Sequence, residues 1–335
     1  MMCKWFYQLV SHSRRAGQWE ANLWSTEARA SLRVAMRMCA SFSPMPVSQA
    51  LEKMYPHPNP PEPPQAITMP NLLRTLGGAT NLTGFSKGWK PQSTSDIGCQ
   101  GHTADDVCRL NAAVDGADVE RAMKQVDYLV AQIEHSYSTL ATAWKVATVF
   151  VGLGDAVFHQ VNDSAPHTPT PKEQYRSAFR ALLNAIRLRI GHVFVNVMLL
   201  PEHISAAKPL IDSRPLCAAF NFLDHKAGWI KGINWTPVSM WDAAIREFNE
   251  VLTEEVALAQ QNATSDFHVV LQPFMRRFTP TDDLVEHFDC FHPNERTSAA
   301  MATSLWNSMV TSTPKAPNVN MSVVAACPTN ATRLH

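Results

Sequence analysis

Residues 144–157 read WKVATVFVGLGDAV, and this stretch sets the fold class. Val146 to Val151 is a short run rich in β-branched and aromatic side chains, closed by Gly152 and Gly154. An unbroken apolar run of that length, ended by glycines, has the pattern of a strand buried on both faces of a parallel sheet. Two further runs repeat it, His192 to Leu200 (HVFVNVMLL) and Phe267 to Pro273 (FHVVLQP). Helical periodicity fills the intervals. Asp118 to His135 spaces Val119, Met123, Val126, Leu129, Val130 and Ile133 on one face, and Lys172 to Arg189 forms a second helix. Val238 to Gln260 carries Trp241, Ile245, Phe248, Val251 and Leu252 along a third. Strands alternating with helices predict an α/β fold with a doubly wound parallel sheet. Functional groups in such a sheet gather at strand C-termini, which here are Gly152 to Asp155 and Gln272 to Phe274.

With 335 residues there is ample chain for one large α/β domain. Residues 1–66 hold Arg14, Arg15, Arg29, Arg33 and Arg37 and then the proline tract YPHPNPPEPPQA from Tyr55 to Ala66. They are expected to be an unrelated leader and linker without order. The domain is expected over 67–313, with a flexible tail over 314–335. Lysine plus arginine equals aspartate plus glutamate at 29 each, so no global field draws the chain to nucleic acid. No apolar run approaches the roughly 20 residues that span a bilayer, and the first twenty residues lack the apolar core of a signal peptide. Against that, N-x-S/T sequons stand at Asn81, Asn162, Asn234, Asn262, Asn320 and Asn330, an excess that points to a glycoprotein of the secretory pathway. Seven cysteines fit a few disulfides with one thiol left over, Cys99 with Cys108 or Cys217 with Cys290 being compatible pairs. No C-x-x-C pair exists, so no structural zinc is expected; no cofactor is expected either.

The chemistry centres on Phe288 to Met309, FDCFHPNERTSAAMATSLWNSM, where Asp289 and His292 form a D-x-x-H turn ahead of an apolar helix. In such a turn the carboxylate reaches the imidazole Nδ1–H and leaves Nε2 free to take a proton from a hydroxyl. By itself the pattern is common on surface loops. A second motif, Gly84 to Gly88 (GFSKG), has the G-x-S-x-G form of a nucleophile elbow and offers Ser86. Its flanks argue against that role, because GGATNLT before it is polar and WKPQSTSD after it contains a proline, where an elbow needs a buried strand and then a helix.

DCFHP followed by a small-residue helix ending in LWNSM resembles the last signature block of the GDSL (SGNH) esterases, and specifically the membrane-associated phospholipase B branch. MPNLLRTL at Met69 to Leu76 with GFSKG, LNAAVDGADVERAMKQVDYLV at Leu110 to Val130, and WKVATVFVGLGDAV resemble further blocks of that branch in the right order. The resemblance runs from about Met69 to Met309 and implies the SGNH-hydrolase, flavodoxin-like three-layer α/β/α fold. It implies four working groups: a serine after the first strand, a glycine amide and an asparagine side chain as oxyanion donors, and the D-x-x-H pair. Asp289 and His292 match the last, and Gly116 falls where the amide donor is expected. Gly154 stands at the asparagine position, so that side-chain donor is replaced; Asp155 beside it is expected to cap or anchor the turn. No GDSL string occurs in the chain, and the nucleophile has no matching position. The first parallel strand is therefore expected to be missing, leaving a sheet edge exposed, as in an N-terminally incomplete or degenerate member. The implied function is hydrolysis of acyl esters of glycerophospholipids through an acyl-serine, the membrane surface being met through the substrate. The alternative is an inactive pseudo-lipase that binds lipid or a protein partner.

Overall fold

The computed structural model describes residues 10–12, 69, 72–73, 110, 112–113, 117–135, 137–157, 171–218, 238–312, 314–329 and 332–335. One sheet runs in the order β1 (Val10–His12), β2 (Trp144–Val149), β3 (Val193–Met198), β4 (Phe267–Gln272). β2, β3 and β4 are parallel, with Lys145 opposite Val193 and Val193 opposite Phe267. β3 is buried along its whole length, as its unbroken apolar run requires. The α/β class expected from the alternation is the one observed.

No parallel strand precedes β2 among the described residues. The exposed edge expected there is instead covered by β1, which pairs antiparallel with Val10 opposite Val146 and His12 opposite Trp144. An unpaired edge presents a row of free N–H and C=O groups, and three residues of the leader satisfy part of it. Val10–His12 of the expected leader thus lies in the sheet; the rest of 1–66 is outside the described residues.

Helices α1 (Val119–His135), α3 (Pro171–Arg189) and α5 (Val238–Gln261) layer against the sheet, while α2 (Leu153–Val157) and α4 (Ala207–Ser213) are short connectors. α3 packs between α1 and α5. Phe179 and Leu182 of α3 and Ile245 and Val251 of α5 are fully buried, and Tyr175 stacks on Phe248 with ring centroids 4.2 Å apart. Charges stitch the outer faces: Arg180 holds Glu255 through two bonds of 2.7 Å, and Arg189 meets Asp127 at 2.5 Å. Lys145 of β2 is fully buried, its Nζ donating to the carbonyls of Leu140 at 2.9 Å, Ala143 at 2.7 Å and Ala141 at 3.4 Å. It closes the turn that leads into the strand, and burial lowers its pKa to about 8.

The last helix, α6 (Glu295–Val310), starts at Asn294, whose side chain accepts from the Thr297 N–H at 2.9 Å. The segment expected to be a flexible tail has no helix or strand in its described part but is fastened to α6. Trp306 Nε1 donates to Ala326 O at 2.8 Å, Asn307 Nδ2 to Val324 O at 2.8 Å, and the His335 N–H to Met309 O at 2.8 Å.

Candidate active site

The loop 281–294 carries Asp289 and His292 between β4 and α6. It folds back on itself: the Glu286 N–H donates to His292 O at 2.7 Å, the Cys290 N–H to Glu286 O at 2.9 Å, and the Asn294 N–H to Leu284 O at 3.0 Å. At its turn the buried Asp289 accepts through Oδ1 from the N–H groups of Phe291 at 2.9 Å and His292 at 3.0 Å. Its second oxygen, Oδ2, takes the Nδ1–H of His292. Burial alone would raise this carboxyl, but the hydrogen bond and charge of His292 and the two N–H donors outweigh it and hold Asp289 below the ordinary carboxylate range. With Nδ1 committed to the carboxylate, Nε2 is the basic nitrogen. Nε2 makes no hydrogen bond among the described residues, and the side chain is 21% exposed.

One aromatic ring borders the imidazole and a second backs the first. Phe291 meets His292 edge-on at 5.4 Å, and Trp241, in the first turn of α5, meets Phe291 edge-on at 6.3 Å. Sequence reasoning placed Trp241 on the apolar face of α5 and gave Phe291 no role; its position inside D-x-x-H was the one available signal.

Gly152 to Asp155 form the turn at the C-terminal end of β2. The Tyr175 hydroxyl donates to Val151 O at 2.8 Å, directly before Gly152, whose φ is +122°. Asp155 is drawn inward, and its carboxylate accepts the Val119 N–H at 3.1 and 3.3 Å, so it caps the start of α1 from 36 residues away. That is the anchoring role expected of it. Burial pushes its pKa up to about 7 against the pull of the Val119 N–H, and the nearby charge of Asp118 and Glu120 adds to the rise. This bond brings 117–119, next to Gly116, against the turn that holds the buried Gly154. Gly116 and Ser86 themselves, like Cys99 and Cys108, lie outside the described residues.

Cys217 and Cys290 are joined in a disulfide, and Cys327 is also disulfide-bonded. Among the described residues no group of three or more His, Cys, Asp or Glu side chains is arranged to hold a metal ion, and no helix is long and apolar enough to cross a membrane.

A parallel sheet with helices packed on it, a glycine turn at the end of β2 and a D-x-x-H pair ahead of the last helix agree with what comparison with known proteins finds. The family model for GDSL-like Lipase/Acylhydrolase matches residues 77–305, and the chain belongs to that family. Among individual proteins it is similar to "Phospholipase B1, membrane-associated" of Mus musculus and of Homo sapiens, each 25% identical over 256 residues. The protein of the same name from Rattus norvegicus is 23% identical over 253 residues. These matches cover 72% of this chain and 16% of each relative, so the chain spans about one-sixth of their length. No solved structure matches.

Proposed function

We propose that this domain is an acyl ester hydrolase of phospholipase B type, acting on glycerophospholipids, in which His292 is the general base and Asp289 its orienting carboxylate. The observation that supports it is the tautomer set by the Asp289 contact, which leaves an unengaged Nε2 on a partly exposed ring. In the reaction a serine Oγ adds to the acyl carbonyl while Nε2 takes its proton, and the resulting imidazolium returns that proton to the departing alcohol. Water then cleaves the acyl-serine by the same relay, releasing the fatty acid. The amide of Gly116 is the proposed oxyanion donor. No GDSL string is present, so the serine has no matching position in this sequence; Ser86 of GFSKG is a minor alternative, its polar and proline-containing flanks lacking the strand and helix of an elbow. Gly154 at the asparagine position favours a second reading, a relative that holds lipid or a protein partner without turnover. Hydrolysis of a short-chain p-nitrophenyl ester decides between them. Turnover abolished in His292→Ala supports hydrolysis, and turnover equal to that of the variant supports binding alone. Loss in Ser86→Ala would identify the nucleophile.

The domain is further proposed to pass through the secretory pathway, where its disulfides form and where the exposed sequon asparagines Asn262 and Asn320 receive glycans. Peptide mapping after enzymatic deglycosylation of the secreted protein tests this; unmodified Asn262 and Asn320 refute it.

A further inference from the structure

We infer that the Cys217–Cys290 disulfide is a positioning element for the Asp289/His292 pair, holding the D-x-x-H turn in the one backbone shape that lets Asp289 face His292. The inference rests on the reading of that pair given above. Cys290 lies inside the motif and has φ +58°, a left-handed conformation that L side chains other than asparagine and aspartate adopt rarely. It persists only where surrounding bonds overdetermine it. That single residue directs the turn: with Cys290 left-handed, the next two N–H groups, those of Phe291 and His292, both point back to Asp289 Oδ1. A relaxed, negative φ would swing them away and separate the carboxylate from the imidazole.

The backbone bonds from Glu286 to His292, Cys290 to Glu286 and Asn294 to Leu284, with the Asp289–His292 contact, shape the loop from within. Ties outward come from the disulfide at Cys290, from Arg214, which pairs with Asp282 and reaches His287 Nδ1 at 3.1 Å, and from the Phe291 ring on Trp241. The Arg214 contacts act on the exposed side of the loop, seven and two residues before the motif, where water screens them. The disulfide is covalent, both of its cysteines are fully buried, and it acts at the left-handed residue itself. It joins positions 73 residues apart, so it ties the motif to a distant part of the chain.

Amide hydrogen exchange tests this without any need for turnover. The Cys217→Ala/Cys290→Ala variant and the wild-type protein reduced by a phosphine under native conditions are each compared with the oxidised protein. Phe291 and His292 amides should exchange at least tenfold faster in both, while the ladder amides of β3 keep their protection. Unchanged protection at Phe291 and His292 overturns the inference. So does loss of protection in β3 together with the loop, which would make the disulfide a staple of the whole fold. If the variant does not fold, the reduced wild type carries the test. Absence of esterase activity would count against the proposed function and leave this result standing.

Discussion

Gly152→Ala offers the sharpest test of how the turn beneath the site is built. A Cβ added at Gly152 would come within 2.7 Å of Tyr175 Oη, 2.8 Å of Leu200 Cδ1 and 3.1 Å of Tyr175 Cζ. Both neighbours are buried and the tyrosine is stacked on Phe248, so neither can swing clear. Holding an alanine at φ +122° costs about 1–3 kcal/mol. Relieving the overlaps by shifting packed side chains costs about 1–3 kcal/mol more, and losing the Tyr175 hydroxyl bond to Val151 O adds about 1 kcal/mol. The sum of about 3–7 kcal/mol is a large part of the roughly 5–15 kcal/mol that holds a domain together. In urea unfolding, with a slope of about 3 kcal/mol/M, the midpoint should fall by roughly 1–2 M at unchanged slope. Combining the change with Tyr175→Phe, which removes the nearest atom, should recover about 1 kcal/mol as coupling. A midpoint shift below about 0.3 M, or strict additivity of the two substitutions, would refute the packing argument.

Asp289→Asn should lower any ester turnover by about 10⁴-fold through the wrong imidazole tautomer. It also has a stability signature: the carboxyl is held below its ordinary range in the fold, so its contribution is present above about pH 4 and is lost as pH falls below that. Urea midpoints from pH 7 to 3 should therefore drop less steeply in the variant. Asp155 has the opposite sign. Its pKa rises from 3.8 to about 7 on folding, so the folded chain binds the extra proton and stability declines as pH climbs from 4 to 7, by at most about 4 kcal/mol. Asp155→Asn keeps an acceptor for the Val119 N–H and should flatten that decline in the same titration. For Lys145, lowered on folding to about 8, stability should rise between pH 8 and 10, and Lys145→Met should abolish the rise.

Before any folding, the chain already spelled out its periodic elements. The predicted helix 118–135 is observed as Val119–His135, and the strand expected at Phe267 to Pro273 is observed as Phe267–Gln272. Unbroken apolar runs and one-sided helices announce themselves because burial acts on each residue according to its own side chain. Asp289 and His292 were legible for a similar reason, since three residues of spacing suffice to bring the two groups together. Packing alone settled the rest. Val10–His12 has no periodicity of its own and is a strand because β2 offers it an edge. Asp155 finds the Val119 N–H and Trp306 finds the Ala326 carbonyl across stretches of chain that no local pattern encodes, and Cys217 with Cys290, one of the compatible pairs in the sequence, is joined only once the fold brings them together. Such partners are chosen by the unmet donors and acceptors that folding leaves in reach, and those exist only once the sheet and its helices have come together.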